Sequence, residues 1–290
     1  MDDQDLAAYL KRLDLEAEPP SAEALHRLHR AHVERVPYET VWLHLGQPWT
    51  VDPRESARRI AHEGRGGYCF HVNGGFSELL GALGYDVTRH IGGVHGPEGA
   101  TEAAMANHLV LTVGGLPSDD NPEGTWYVDA GLGDALHEPL PLRAGEYQQG
   151  PFHYTLNATP GAIGEWDFVH DPRGSFNGMS WWSKPAGISD FEAKHAHLST
   201  APESLFVQYL IVQRRDAAGV DIMLGLGLRR VDDAKTPGRA LTNRADWFDA
   251  LAQVFGLRFD GVDPEALDRL WDKMYAAHTA WEAMKAANAQ

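Results

Sequence analysis

Residues 65–73 of this 290-residue chain read Arg-Gly-Gly-Tyr-Cys-Phe-His-Val-Asn. The two adjacent glycines allow the backbone to turn tightly before the tyrosine. From Cys69 to Leu83 the apolar positions recur with the 3.6-residue period of a helix, and Gly84 supplies a C-terminal stop. The stretch therefore predicts a tight turn into a helix whose first turn holds the thiol of Cys69.

A thiol in the first turn of a helix lies beside unpaired backbone N–H groups and the positive end of the helix dipole, which favour the thiolate form. The same N–H groups are suited to bind a developing oxyanion. Because Cys69 is the single cysteine, it has no partner for an internal disulfide. A lone cysteine is also often a small apolar core residue, so this pattern alone leaves both interpretations open.

Two further residues complete a candidate catalytic set with Cys69. His108 lies in the strand-like segment 107–113, and Asp129 lies in the next one, 125–130. If these segments pair as an antiparallel hairpin, the two side chains lie diagonally across the pair. We then expect Asp129 to orient the imidazole of His108, with His108 facing Cys69.

In such a triad the carboxylate fixes the histidine tautomer, the histidine exchanges the proton, and the sulfur forms the covalent acyl intermediate. Each residue also has a structural interpretation. His108 is one of 15 histidines, and Asp129 precedes Gly131 at a position where turn and capping residues are common. Composition and periodicity alone do not choose between these interpretations.

The rest of the chain predicts a mixture of helices and antiparallel strands. The first 65 residues are predicted to be mainly helical, with one helix over 53–63 that ends at Gly64. The segments 85–91, 107–113 and 125–130 predict an antiparallel sheet or barrel. Residues 151–200 are predicted to be long connections. Beyond them the pattern predicts strands over 205–213 and 220–230 and helices near 244–255 and 264–287.

Composition excludes several classes of function. A formal charge of −16 disfavours nucleic acid as a partner. No apolar run reaches the length of about 18 residues that spans a bilayer. The acidic N-terminus lacks a secretory pattern, so we expect a cytoplasmic protein without a membrane partner. We also expect no metal, since His26, His29 and His32 share a helical face but no carboxylate or thiol completes a ligand set.

The segment 65–70, with Asn73 at the fourth position after Cys69, resembles the nucleophile motif of the arylamine N-acetyltransferase family. Residues 36–39 resemble the Val-Pro-Phe-Glu segment of that family. The likeness extends to its element after the helix (83–87), to its aspartate motif (128–133) and, more weakly, to 190–192, 199–204 and 255–257.

The resemblance implies an α+β fold whose catalytic core is related to the cysteine proteases. Its three parts are an N-terminal helical bundle, a central antiparallel β-barrel and a C-terminal α/β lid. In this chain we assign residues 1–84 to the bundle that carries the nucleophile. Residues 85–200 are assigned to the barrel and connecting segment that carry His108 and Asp129, and residues 201–290 to the lid.

The resemblance also implies a ping-pong reaction with Cys69, His108 and Asp129 as the catalytic residues. Acetyl from acetyl-CoA passes to Cys69 as a thioester, CoA leaves, and the nitrogen of a small aromatic amine or hydrazine attacks the acyl group. Acetyl-CoA is thus expected as the donor substrate, and the resemblance assigns no residue to its binding.

The chain departs from the family pattern at several positions. His71 stands where the family usually has glutamate, which removes an acid expected to balance Arg65; Thr40, Ala130 and Leu132 also differ from the usual residues. Three other functions therefore stay open. They are an amide synthase that takes a longer acyl chain from a carrier protein, a thioester or amide hydrolase, and a non-catalytic binder of CoA or acyl groups.

Overall fold

The computed structural model describes residues 1–288. Its N-terminal part is helical, as predicted, and contains one short strand. The elements are α1 (Asp3–Leu13), α2 (Ala22–Arg35), β1 (Tyr38–Glu39), α3 (Val41–His44), α4 (Pro53–Arg58), a π-helical turn (Arg59–Glu63) and α5 (Cys69–Ala82). The predicted helix over 53–63 is confirmed as α4 and the π-helical turn, and it ends at Gly64 with a left-handed φ of 66°.

Helix α5 begins at Cys69, as predicted, and it lies between the other helices and the sheet. The two glycines before it are required by close packing. A Cβ atom on Gly66 would lie 1.9 Å from the carbonyl oxygen of Pro37, and Gly67 has a φ of +93° with its Cβ position 2.6 Å from Nδ1 of His71. Any larger residue here would push α5, and with it Cys69, away from its present position.

The middle of the chain forms an eight-stranded antiparallel sheet that curls into a nearly closed barrel. Its strands are β2 (Asp86–His95), β3 (His108–Gly114), β4 (Trp126–Val128), β5 (Leu140–Pro141), β6 (Gly145–Gln149), β7 (Phe152–Ala158), β8 (Trp166–Val169) and β9 (Gly178–Pro185). They follow the order β5-β4-β3-β2-β9-β8-β7-β6. The predicted antiparallel barrel is confirmed.

The prediction of long connections over 151–200 is wrong, because this segment contains β7, β8, β9 and α6 (Ser189–Thr200). The strands alternate as a half-buried sheet should: Phe152, Tyr154 and Leu156 point into the barrel. They pack there against Phe168 and Trp181. The glycines, prolines and histidines between these short strands conceal the alternation in a long sequence window.

The C-terminal part combines strands with helices. Its elements are α7 (Leu205–Gln208), β10 (Ile211–Asp216), β11 (Gly219–Leu224), β12 (Gly227–Val231), β13 (Arg239–Ala240), α8 (Arg244–Gln253) and α9 (Pro264–Asn288). With β1, these strands form a five-stranded antiparallel sheet in the order β1-β10-β11-β12-β13. The predicted helices are confirmed. The strand predicted over 205–213 is wrong in its first half, which is α7, and the strand predicted over 220–230 is a hairpin that turns at Gly225.

Strand β1 joins the N-terminal helical part to the sheet of the C-terminal part. Its residues Tyr38 and Glu39 pair with Gln213 and Val212 of β10. We keep the division into residues 1–84, 85–200 and 201–290 as a proposal, with β1 as the segment of the first part that joins the sheet of the third. Although α9 has 25 residues, neither it nor another helix within residues 1–288 is apolar enough to cross a membrane.

Candidate active site

His108 and Asp129 form a buried pair across β3 and β4. The two strands pair with Leu111 opposite Val128, which places the two side chains diagonally. Nε2 of His108 lies 2.8 Å from Oδ2 of Asp129. The predicted juxtaposition is therefore confirmed. Because a carboxylate accepts, Nε2 carries the hydrogen, and Nδ1 is left to interact with the thiol.

Cys69 is the first residue of α5, and its thiol lies beside the start of β3. Sγ is 3.5 Å from the carbonyl oxygen of Asn107, the residue that precedes His108. The side chain of Asn107 is held in turn by the backbone of Val94, whose N–H donates to Oδ1 at 2.8 Å and whose carbonyl accepts from Nδ2 at 3.0 Å. The turn before α5 and this strand end thus bring the thiol and the imidazole together.

The charge state of His108 follows from its neighbours. Burial by itself lowers the pKa of this histidine, but the negative charge and hydrogen bond of Asp129, followed by those of Cys69, raise the pKa to about 10. The imidazole therefore carries a proton near neutral pH. A protonated imidazole next to a thiol favours the ion pair of thiolate and imidazolium.

The carboxylate of Asp129 accepts four hydrogen bonds. Oδ2 accepts from Nε2 of His108 and, at 3.1 Å, from the hydroxyl of Tyr127. Oδ1 accepts from Nδ2 of Asn73 at 2.7 Å and from the backbone N–H of Gly131 at 3.0 Å. These donors fix the plane of the carboxylate, so the orientation of the His108 ring is fixed as well.

Sequence reasoning assigned no role to Asn73 or Tyr127, although both contact the carboxylate. Besides Asp129, Asn73 contacts the backbone of the sheet, donating to the carbonyl of Leu109 at 2.7 Å and accepting from the N–H of Ala130 at 3.0 Å. The feature of the sequence that points to both residues is their spacing from the predicted catalytic residues. Asn73 lies four residues after Cys69 on one helix face, and Tyr127 lies two residues before Asp129 on one strand face.

Two backbone N–H groups at the start of α5 are free to bind an oxyanion. Tyr68 is the N-cap residue and makes no side-chain capping bond. Its carbonyl accepts from the N–H groups of His71 and Val72, at 2.9 and 3.0 Å. The N–H groups of Cys69 and Phe70 have no hydrogen-bond partner within residues 1–288.

The expectation that Arg65 lacks an acid is wrong, because Glu39 takes that role. Nη2 and Nε of Arg65 lie 2.8 and 3.0 Å from Oε1 of Glu39, and both side chains are buried. Oε2 of Glu39 also accepts from the backbone N–H of Val41 at 2.7 Å, at the start of α3. The ion pair is thus complete without an acid at position 71.

His71 is fully buried on the same helix as Cys69. Its ring contacts the rings of Trp42, Trp49 and Tyr68, with centroids 4.8 to 5.6 Å apart, and neither ring nitrogen has a hydrogen-bond partner within residues 1–288. Burial, and then the positive charge of Arg59, lower the pKa of His71 well below its usual value. The second imidazole near the thiol is therefore uncharged.

Tyr38 of the Val-Pro-Tyr-Glu segment is close enough to Cys69 to feel the charge of its sulfur. A Cβ atom on Gly133 would lie 3.3 Å from Cγ of Tyr38, so the ring packs on the loop that follows Asp129. Burial, and then the negative charge of Cys69, raise the pKa of Tyr38. This loop also carries Ala130 and Leu132, and both side chains are buried.

Within residues 1–288 no three His, Cys, Asp or Glu side chains converge in a way that suits a metal ion. The histidines of α2 have other contacts. Nδ1 of His29 lies 3.0 Å from the carbonyl oxygen of His137, and Nε2 of His32 lies 2.8 Å from the hydroxyl of Tyr9. These contacts place both histidines in the core of the helical part.

Comparison with known proteins adds to this geometry. A family model described as N-acetyltransferase matches residues 21–263. An arylamine N-acetyltransferase of Mycolicibacterium smegmatis is 31% identical over 221 residues, which covers 72% of this chain and 75% of that protein. A pineal gland isozyme of arylamine N-acetyltransferase from Gallus gallus is 28% identical over 255 residues, covering 78% and 83%. The structure of Mycobacterium marinum arylamine N-acetyltransferase in complex with CoA superposes with a TM-score of 0.81 at 25% identity, covering 94% of this chain and 99% of that one.

Proposed function

This chain is an enzyme of the arylamine N-acetyltransferase family, and we propose that it transfers acetyl from acetyl-CoA to an arylamine nitrogen through a thioester on Cys69. The observation that carries this proposal is the position of Cys69 at the start of α5, against the buried pair of His108 and Asp129. The Mycobacterium marinum enzyme forms a complex with CoA, which supports CoA thioesters as donors for this chain.

In the first half-reaction the thiolate of Cys69 attacks the carbonyl carbon of acetyl-CoA. The N–H groups of Cys69 and Phe70 are positioned to stabilise the oxyanion that develops. When the intermediate collapses, the bond between the carbonyl carbon and the CoA sulfur breaks, and the imidazolium of His108 gives its proton to that sulfur. Acetyl-Cys69 and a neutral imidazole remain.

In the second half-reaction the nitrogen of the amine attacks the carbonyl carbon of acetyl-Cys69. Neutral His108 accepts the proton that the nitrogen loses, and the bond between carbon and Sγ breaks. The amide leaves, and the thiolate and imidazolium are restored. Asp129 orients the imidazole in both half-reactions and is itself held by hydrogen bonds from Tyr127 and Asn73.

The acceptor is proposed to be a small aromatic amine or hydrazine. The relatives from Gallus gallus and Mycolicibacterium smegmatis support this class, since both are named arylamine N-acetyltransferases. In this chain Tyr38 and the loop that follows Asp129 border the thiol. We propose that these residues form part of the surface that an acceptor approaches.

Intact-protein mass spectrometry tests the proposal directly. After mixing with acetyl-CoA, the wild-type chain should gain one acetyl group and the Cys69→Ala variant none, and an aromatic amine should discharge the adduct. An adduct formed only from longer acyl or carrier-bound donors would identify an amide synthase instead. Rapid loss of the acetyl group without amine would identify a hydrolase, and binding without any adduct would contradict catalysis at Cys69.

A further inference from the structure

One side chain outside the catalytic set joins three parts of the structure close to the nucleophile. His195 belongs to α6, and its Nε2 lies 2.8 Å from the carbonyl oxygen of Trp49, while its Nδ1 lies 2.5 Å from the hydroxyl of Tyr68. A backbone carbonyl only accepts, so Nε2 carries the hydrogen. Nδ1 is then the acceptor, and the hydroxyl of Tyr68 is the donor.

Tyr68 links this contact to the catalytic thiol. It is fully buried, it precedes Cys69, and its extended backbone and its carbonyl form the N-cap of α5. Within residues 1–288 its hydroxyl has His195 as its single hydrogen-bond partner. A shift of Tyr68 that moves its backbone would also move Cys69, because Tyr68 is the N-cap residue of α5 and Cys69 is the next residue in the chain.

We propose that His195 is a positioning residue for acyl transfer: its neutral imidazole connects the Trp49 carbonyl to the Tyr68 hydroxyl and thereby holds Cys69 against His108. This role rests on the proposed function, because it presumes that Cys69 is the reacting thiol. The imidazole must be neutral. A proton on Nδ1 would direct a second donor at Tyr68 and leave its buried hydroxyl hydrogen without an acceptor.

The charged groups around His195 favour this neutral form. The guanidinium of Arg59 lies 4.6 Å from the ring centre of Trp49, and that of Arg65 lies 5.1 Å from it. Burial and the charge of Arg59 lower the pKa of His195, against the opposing effect of the Trp49 carbonyl. Two of the acids near these arginines are paired with them, Glu39 with Arg65 and Glu55 with Arg59. Glu63 and Asp52 also act on Arg59. On α6 itself Lys194 donates to the carbonyl of Ala103.

The histidine at position 71, where the family usually has glutamate, lies next to His195 and affects its charge. Its ring stands perpendicular to that of His195, with the centroids 5.6 Å apart, and it is uncharged. A glutamate at this position would direct a negative charge at His195 and favour its protonated form. With histidine at position 71, the neighbour that faces His195 from α5 contributes no negative charge.

Glutamine is the matched substitution for His195, because its amide group can donate to the Trp49 carbonyl and accept from the Tyr68 hydroxyl without titrating. We would measure the rate at which iodoacetamide alkylates Cys69, which requires no acyl donor, and in parallel the single-turnover rate of acetylation by acetyl-CoA. The variants are His195→Gln and His195→Ala, each with Tyr68 and with Tyr68→Phe.

At pH 7.5 we expect both rates of His195→Gln to stay within about twofold of wild type, and those of His195→Ala to fall by about 5- to 20-fold. With Tyr68→Phe, the difference between His195 and His195→Ala should shrink to about twofold or less. Because the pKa of His195 lies below its usual value, the ratio of the wild-type alkylation rate to that of His195→Gln should stay constant down to about pH 6.5 and decrease only at lower pH, since only wild type then loses the acceptor at Nδ1.

Three results would overturn the proposal: a wild-type rate in His195→Ala, an equally slow rate in His195→Gln, or an unchanged effect of His195→Ala in the Tyr68→Phe background. A decrease of the wild-type rate relative to His195→Gln that begins above about pH 6.5 would also contradict the neutral imidazole that burial and Arg59 favour. Failure of acetylation with normal alkylation would instead contradict the proposed function and leave the alkylation series to decide the role of His195.

Discussion

The amide nitrogen of Asn73 lies 2.7 Å from the carboxylate of Asp129, so the helix that begins at Cys69 also holds the carboxylate of the site. The same side chain also contacts the backbone of Leu109 in β3 and of Ala130, the residue after Asp129. The distance between nucleophile and acid is therefore set by one helix turn and one amide. Sulfur, imidazole and carboxylate are fixed as a unit because the polar groups between them are satisfied.

Asn73→Ala should slow acylation of Cys69 by about 10- to 100-fold and lower the free energy of unfolding by about 2 kcal/mol, since the buried carboxylate and two backbone groups lose their partner. Stopped-flow acetylation and urea unfolding measure the two effects. Ser77→Ala on the same helix is the control, because within residues 1–288 the hydrogen bonds of Ser77 go to the Gly74 carbonyl and to Arg89 rather than to Asp129. An equal loss of acylation in that variant would contradict a specific role for Asn73.

The hairpin of His108 and Asp129 was predictable because it depends on local rules. Strand alternation and antiparallel pairing place the two side chains together, and the turn into α5 follows from two glycines before an apolar period of 3.6. The partners of Asp129 were not predictable in the same way. Asn73 reaches the carboxylate from another element, and a contact 56 residues distant in sequence is determined by tertiary packing.

The aromatic strands and the pairing of Arg65 show the same limit. Trp166 and Trp181 lie in short strands between loops, where the period of two extends over few residues. The motif predicts an acid near Arg65 on the helix that follows it, but the structure supplies Glu39 from β1, because this segment folds against the turn before α5. The sequence alone does not show that an acid from a different element pairs with Arg65, because this pairing depends on the tertiary fold.

Gly131→Ala should disrupt the site, although it adds a single methyl group. Its Cβ would lie 2.8 Å from Nδ2 of Asn73 and 3.1 Å from Cα of Cys69, which is backbone and cannot move aside alone. We expect a loss of stability of about 1–3 kcal/mol and a large fall in acylation rate.

Gly81→Ala is the matched control for this substitution, because its Cβ would have no atom within 4 Å and it lies within α5. It should raise stability by about 0.5–1 kcal/mol without changing the rate. Thermal unfolding and single-turnover acetylation measure both variants. If Gly131→Ala kept the wild-type rate, the close approach of this loop to Cys69 would not matter for catalysis.

Stability should fall in mild acid because of His29. Burial lowers the pKa of this histidine to about 4 in the folded chain, whereas the unfolded chain has the usual value of about 6.5. Between these values the unfolded state binds more protons, so the contribution is complete above pH 6.5 and is lost as the pH falls toward 4. At pH 5 the expected loss is about 2 kcal/mol relative to pH 7.5.

Urea unfolding at pH 5 and 7.5 measures this loss, and His29→Gln is the control. The glutamine amide can donate to the carbonyl of His137 as Nδ1 does in wild type, but it does not titrate. The difference in unfolding free energy between the two pH values should therefore be smaller in the variant by about 2 kcal/mol. Equal differences in the two proteins would show that His29 is not the titrating group.

Asp129→Asn should remove most of the activity while it preserves the shape of the side chain. The amide oxygen would accept from Asn73 and Gly131, which leaves the NH₂ group opposite Nε2 of His108. Nε2 would then have to accept, so the hydrogen of the neutral ring would move to Nδ1. Without the carboxylate the pKa of His108 should also fall, since the charge of Asp129 is a main cause of its elevation to about 10.

Both effects reduce the fraction of Cys69 present as thiolate paired with imidazolium at neutral pH. We expect acylation by acetyl-CoA to slow by about 100- to 10,000-fold, and the acid limb of iodoacetamide alkylation to move to higher pH. Asp134→Asn is the control, because Asp134 contacts His170 and Ser175 rather than His108. An alkylation profile in Asp129→Asn that coincided with wild type would mean that the carboxylate does not determine the charge of His108, and the triad would then lack its third member.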